Sequence, residues 1–421
     1  MHQKTVLDNG LRIVSSTMPH TYSVCICIFI EAGSRHEFSG QEGLAHFVEH
    51  LCFKGTETRP TSKEISQAID GIGGILNGET DKELTGYWVK VARPHFSFAL
   101  DVLVDMIRNS RFNPSDIETE RKIIIEELNM CLDSPHERVD MLIDEVIWPD
   151  QPLGHDIAGN KETVSVIDRQ MVIDYVSNHY IPDSTVISVA GDISHDEVVN
   201  SVIAALGDWG RGSAAPWLPA DNRQVTPRLL AEQRDTEQVH LCLAMRGIPQ
   251  MHPDRYVLSL LNLILGGSMS SRLFLELRER MGLAYDIHSQ ITYFRDAGSI
   301  NIYAGVEPER TEDTIKAILG ELVKLRDIQV PELEITRAKV LSNGRLMLRM
   351  EDTRGVAGWL GSQELLMGYV RSVDEVVGVI NAITARDLQR VASELFVTNG
   401  LNLVLVGPIR NKDRFEEYLQ L

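Results

Sequence analysis

Residues 185–206, TVISVAGDISHDEVVNSVIAAL, begin as an apolar run, turn at Gly191-Asp192-Ile193 and continue with helical spacing of Val198, Val202 and Leu206. The chain closes on the same outline. Residues 401–421, LNLVLVGPIRNKDRFEEYLQL, pass from an apolar strand through Gly407-Pro408-Ile409 into a helical pattern. An ending that occurs twice marks a duplication. Working back from each ending, the first half runs strand (23–33), helix (43–53), two alternating stretches (73–91) and helix (96–107). The second runs strand (238–248), helix (256–267), alternating stretches (284–294 and 297–306) and helix (311–325). The expected class is α+β, as two duplicated α/β-sandwich repeats, each a mainly antiparallel sheet with helices packed on one face. Residues 206–227 are rich in Gly, Pro, Ala and polar residues and lack periodicity. The expected domains are therefore an N-terminal repeat at 1–210, a linker at 211–228 and a C-terminal repeat at 229–421.

A chain of 421 residues, 43% hydrophobic and 24% charged, has the make-up of a globular protein with more than one core. No apolar run reaches the roughly 18 residues of a spanning helix, and the N-terminus has no signal organisation, so a cytoplasmic protein with no membrane partner is expected. A formal net charge of −19 disfavours nucleic acid and anionic membranes. The five cysteines (Cys25, Cys27, Cys52, Cys131 and Cys242) are odd in number and scattered, which argues against a disulfide framework. Cys25 and Cys27 face one side of a strand, and VCICIFI reads as a buried strand rather than a metal pair.

The chemistry concentrates in residues 43–56, GLAHFVEHLCFKGT. His46 and His50, at i and i+4, leave one helix face, and Glu49 lies on that face too. Two imidazoles reach one zinc ion, and the carboxylate sits beside a water on that ion as its base, an inverted H-x-x-E-H order. The plain alternative is a solvated helix. The neighbours Leu44, Ala45, Phe47, Val48, Leu51, Cys52 and Phe53 argue against it, since buried polar groups need a common partner. A third ligand is expected on the helix beginning near Asn113, where Pro114 suits the first helical position and Asp116 a capping box. Glu120 and Glu127, seven apart, share a face with Ile123 and Ile124, while Glu126 points about 100° away. Glu127 is taken as the ligand, Glu120 as a carboxylate orienting a histidine or the water, and Glu126 as the fallback ligand.

With these residues in view, GLAHFVEHLCFKGT followed by ETERKIIIEELNM resembles the inverted-motif zinc peptidases: pitrilysin, insulin-degrading enzyme and the mitochondrial processing peptidase. The interval 51–126 between His50 and Glu127 has the family's length, and Glu120 fills the family's upstream glutamate position. The resemblance extends over nearly the whole chain, from LDNGLRIV (7–14) and GSRHE (33–37) to GGILNGETDKELTGYWVKV (73–91) and GGSMSSRLFLELRERMGLAYDI (266–287). It implies one Zn2+ per chain on His46, His50 and Glu127, with Glu49 as general base and Glu120 in support. It also implies a peptide substrate added as a strand along Gly74 to Thr80 and held by Asn77. Arg278 and Tyr285 match the pair that faces the zinc from the opposite domain, binds substrate and takes a catalytic part by donating to the developing oxyanion. Two repeats resemble the half-length bacterial and processing-type members, which implies a homodimer enclosing a chamber, or a heterodimer with an inactive homologous chain. This sequence departs from the family at Asn77-Gly78, usually Asn-Ala, and at Met281, where a basic residue is common. A non-catalytic peptide-binding or structural subunit is the rival from another class, but such chains usually lack pieces of the zinc motif. LGGSMSSRL (265–273) is a weak match to a phosphate loop, without the Lys-Ser/Thr ending.

Overall fold

The computed structural model describes residues 2–213 and 216–421. Met1, Ala214 and Ala215 lie outside the described residues, and the two alanines fall in the stretch read as a linker. The strands are β1 (His2–Val6), β2 (Arg12–Thr17), β3 (Ser23–Ile30), β4 (Ile75–Thr80), β5 (Thr85–Ala92) and β6 (Thr185–Gly191), then β7 (Arg228–Gln233), β8 (Val239–Arg246), β9 (Ala284–Tyr293), β10 (Gly298–Val306) and β11 (Asn402–Gly407). They form two sheets, ordered β1-β2-β6-β3-β5-β4 and β7-β11-β8-β10-β9. Without β1, the first order repeats the second strand for strand. The pairing senses repeat as well: β2 with β6 and β7 with β11 are parallel, and the other pairs are antiparallel. The α+β duplication read from the sequence is the architecture found.

The two endings that revealed the repeat occupy matching places. β6 lies between β2 and β3, and β11 between β7 and β8. Every residue of both strands is buried, which explains why they read as largely apolar runs rather than as alternating ones. The helix after β6 spans His195–Leu206, but its counterpart after β11 is the single turn Asp413–Glu416, of which only Phe415 is buried.

The chain divides into two compact units, each containing a segment distant in sequence from its bulk. Unit 1 comprises Met1–Leu128, Asp156–Leu218 and Met347–Ser372; unit 2 comprises Asn129–His155, Pro219–Leu346 and Val373–Leu421. Within unit 1, Val24, Ile26, Ile28 and Ile30 of β3 face the main core with Phe47, Val48 and Leu51. The alternate residues Cys25, Cys27 and Phe29 face a second core made with Val356, Ala357, Leu360 and Leu365 of the helix Thr353–Met367. The cysteine pair is therefore core, as read, with the sulfurs 3.9 Å apart. Unit 2 has the same device. The helix Pro135–Ile147 packs Val139, Leu142 and Ile143 against Cys242, Tyr303 and Val404. Each sheet thus carries one further helix on its reverse face, a feature that repeat outlines do not encode.

Among the described residues no helix is long and apolar enough to cross a membrane. In unit 1 the reverse-face helix approaches the sheet through Gly361. A Cβ there would stand 2.4 Å from the Phe29 ring and 2.9 Å from Cβ of Ser188, whose hydroxyl donates to the Ala357 carbonyl at 2.7 Å. Gly361→Val is expected to lower unfolding stability by about 1–3 kcal/mol through overpacking, read from urea denaturation.

Candidate metal centre

The helix Leu44–Cys52 begins at Gly43, whose φ of 94° suits glycine, and a Cβ there would meet the Ala158 carbonyl oxygen at 2.4 Å. Glycine offers no capping side chain. Glu37 takes that part from a distance: one carboxylate oxygen accepts from the Gly43 N–H at 3.0 Å and the other from the Ala45 N–H at 2.7 Å. Burial pushes the Glu37 pKa well above the ordinary carboxylate range, against these backbone hydrogen bonds. Leu44, Ala45, Phe47, Val48, Leu51 and Cys52 are buried. The remaining face holds His46, Glu49 and His50, all half-buried.

The second helix, Pro114–Asp133, buries Ile117, Glu120, Ile124 and Leu128 in one stripe. Ile123, expected on that stripe, is instead 40% exposed. The Asn113 carbonyl accepts from the Asp116 and Ile117 N–H groups at 3.0 and 3.1 Å, and its side-chain amide donates to the Asp116 carboxylate at 2.9 Å. Glu120 and Glu127 meet the two edges of one imidazole. Glu120 Oε2 lies 3.0 Å from Nδ1 of His50, and Glu127 Oε2 lies 3.8 Å from its Nε2. Nε2 of His50 is also 3.2 Å from Nε2 of His46. One ligand atom from each of His46, His50 and Glu127 lies within 4.8 Å of the others.

The electrostatics suit a cation. Burial, then the neighbouring His50, draws the His46 pKa down to about 4, so its ring is neutral at pH 7. Burial also pulls on His50, but the Glu120 hydrogen bond and the charges of Glu127 and Glu49 outweigh it and raise its pKa. The Glu120 pKa is lowered: burial opposes this, and hydrogen bonds from His50 and Lys54 prevail. In the neutral form of His50, a carboxylate at Nδ1 selects the tautomer with its proton there, leaving the Nε2 lone pair toward His46 and Glu127. Two imidazole nitrogens and a carboxylate oxygen form a donor set that fits zinc.

Glu49 stands beside this cluster. Its Oε2 accepts from the Thr80 hydroxyl at 2.6 Å, and Oε1 packs against the β4 backbone, 2.5 Å from where a Cβ on Gly78 would be. Burial raises the Glu49 pKa, opposed by the Thr80 hydrogen bond and by His50. β4, which runs from Ile75 to Thr80, is the edge of its sheet and, among the described residues, pairs with β5 alone. Gly74 immediately precedes it, and the Asn77 side-chain oxygen accepts from the Gly78 N–H at 2.9 Å. Gly74, Asn77 and Thr80 thus lie at or beside this edge. The hydroxyl of Thr80, read there as a substrate contact, is engaged by Glu49.

Arg278 and Tyr285 belong to unit 2. The Arg278 guanidinium sits 4.8 Å from the Tyr285 ring centroid and 4.7 Å from that of Phe274, and Tyr285 is 79% exposed. Beside them is a cavity of about 380 Å3 lined by Gln238, Gly282 and Glu307.

Two stretches match family descriptions. Residues 12–161 match "Insulinase (Peptidase family M16)", and residues 167–340 match "Peptidase M16 inactive domain". A protein of Bacillus subtilis named uncharacterized zinc protease YmxG is 35% identical over 411 residues, covering 98% of this chain and 99% of that protein. The chain belongs to peptidase family M16. A Streptomyces coelicolor protein, also named an uncharacterized zinc protease, is 35% identical over 97% of this chain and 90% of its own length. The M16 fold is shared with a Helicobacter pylori protease (TM-score 0.92, 22% identity, 97% of this chain and 99% of that one). It is shared too with a chain of complex III2 from Candida albicans (TM-score 0.86, 18% identity, both chains covered in full). The H-x-x-E-H segment and Glu127 fall in the first match, and Arg278 and Tyr285 in the second. The family read from residues 43–56 and 118–130 is therefore the one found.

Sequence reasoning missed two contributors to the centre, Glu37 and Lys54, and a second part for Thr80. For Glu37 a signal existed: a buried helix opening on glycine, with no Ser, Thr, Asp or Asn to cap it, needs a cap from elsewhere. Glu37→Ala is expected to orphan two buried N–H donors and cost about 1–3 kcal/mol for each, measured by urea denaturation of the metal-free protein.

Proposed function

We propose that this M16 chain is a zinc metalloendopeptidase acting on peptides or unfolded segments. The observation that carries the reading is the convergence of His46, His50 and Glu127 beside Glu49. The names of the full-length relatives support it. Zinc on those three ligands would supply a Lewis acid for the scissile carbonyl and lower the pKa of a water. Glu49, with its pKa raised by burial, takes the water proton and returns it to the leaving amine. Thr80 holds one Glu49 oxygen and leaves the other for the water. The β4 edge accepts an extended peptide as a further strand, with Asn77 toward its backbone. Arg278 and Tyr285 are assigned to substrate binding by their match to the family pattern. Glu120 orients His50. The compartment proposed is the cytoplasm, supported by the buried thiols of Cys25, Cys27, Cys52 and Cys242.

The description "inactive domain" applies to 167–340. Among the described residues, the one group of metal-ligating side chains lies in 46–127. A non-catalytic subunit would not need that set, so peptidase activity is the preferred reading. Because the chain carries a full set, we propose a homodimer with two active sites around one chamber.

Glu49→Gln is expected to retain zinc and lose about 10²–10⁴-fold of its rate on a quenched-fluorescent peptide. Glu127→Gln should lower zinc content by elemental analysis. Retention there, with loss in Glu126→Gln, would move the ligand by one residue. Light scattering of the purified protein should give twice the chain mass, and a clean monomer would remove the homodimer.

A further inference from the structure

Lys54 lies two residues beyond the histidine helix, in the tail of GLAHFVEHLCFKGT, and neither motif matching nor helical spacing assigns it a part. Its ammonium is 2.6 Å from Oε1 of Glu120, and the other oxygen of that carboxylate is 3.0 Å from Nδ1 of His50. The Glu120 side chain is 1% exposed and that of Lys54 28%. A carboxylate buried this deeply is stable as an anion only with both oxygens engaged. Lys54 therefore decides how the carboxylate plane is turned, and that plane decides how the His50 ring is turned. The ion pair also spans two helices: Lys54 follows the one bearing His46 and His50, while Glu120 shares the other with Glu127.

We propose that Lys54 is a positioning residue of the metal centre: through Glu120 it sets the tautomer and tilt of His50 and holds the glutamate helix at ligand distance. This rests on the metal-site reading above. It differs from an ordinary helix-to-helix ion pair in one respect. An ordinary pair contributes to folding and leaves metal affinity alone, whereas a link acting through Glu120 must appear in the affinity itself.

The test uses the purified full chain, stripped of metal, with zinc affinity measured by competition against a chromophoric chelator. Supporting residues of this kind typically change metal affinity about 10–100-fold, which is the weakening expected of Lys54→Met. Lys54→Arg, which keeps the cation, should recover most of it. In a Glu120→Gln background, Lys54→Met should add less than about twofold, because the link is already cut. Unchanged affinity in Lys54→Met overturns the proposal, as does an equal further loss in the Glu120→Gln background. If Lys54→Met does not fold, Lys54→Gln carries the same comparison. Wild-type protein that binds no zinc would instead overturn the metal-site reading on which the proposal stands.

Discussion

The 3.2 Å between the Nε2 atoms of His46 and His50 depends on two rings that leave one helix face a turn apart. Much of unit 1 bears on that condition. Six apolar residues of the histidine helix are buried against the sheet, which fixes its roll. Glu37 holds its first turn by two N–H groups, which fixes its height. Glu120 holds one ring by its Nδ1 edge. What remains is a neutral His46, a His50 whose neutral tautomer would turn its lone pair inward, and a carboxylate to complete a cation site.

The carboxylates show how environment divides labour among like groups. Glu120, Glu127 and Glu49 all lie near His50, yet their surroundings differ. Glu120 is buried and ion-paired, and its pKa is lowered. Glu127 is 44% exposed and faces the nitrogen edge that a metal would use. Glu49 is desolvated with a raised pKa and one hydroxyl partner, the state of a group suited to exchange a proton. In the proposed function one supports, one coordinates and one transfers protons, a division that follows their placement.

The sheet makes a second use of position. β4 contributes the edge proposed for substrate and, from Thr80, the hydroxyl that turns Glu49. Gly78 on the same strand leaves room for the Glu49 carboxylate. The strand that would bind the peptide thus also orients the base, so the two are registered by one backbone. Asn77-Gly78, read as a looser edge than the family's Asn-Ala, also places Glu49 close against that backbone.

Helical spacing was enough to bring His46, Glu49 and His50 to one face, and Glu120 and Glu127 to another, because these are relations within single helices of fixed pitch. The doubled strand-turn-helix ending was enough for the duplicated α+β class, because burial on both faces leaves a largely apolar run. Relations between elements lay beyond it. Which oxygen of Glu120 meets His50, that Lys54 takes the other, and that Glu37 caps a helix begun by glycine depend on side chains meeting across separate elements. The reverse-face helices are of the same kind: only packing on Cys25, Cys27 and Phe29 tells which sheet Thr353–Met367 covers. Local periodicity carries no address for a distant partner, and the partner is chosen by shape and charge once the chain has closed on itself.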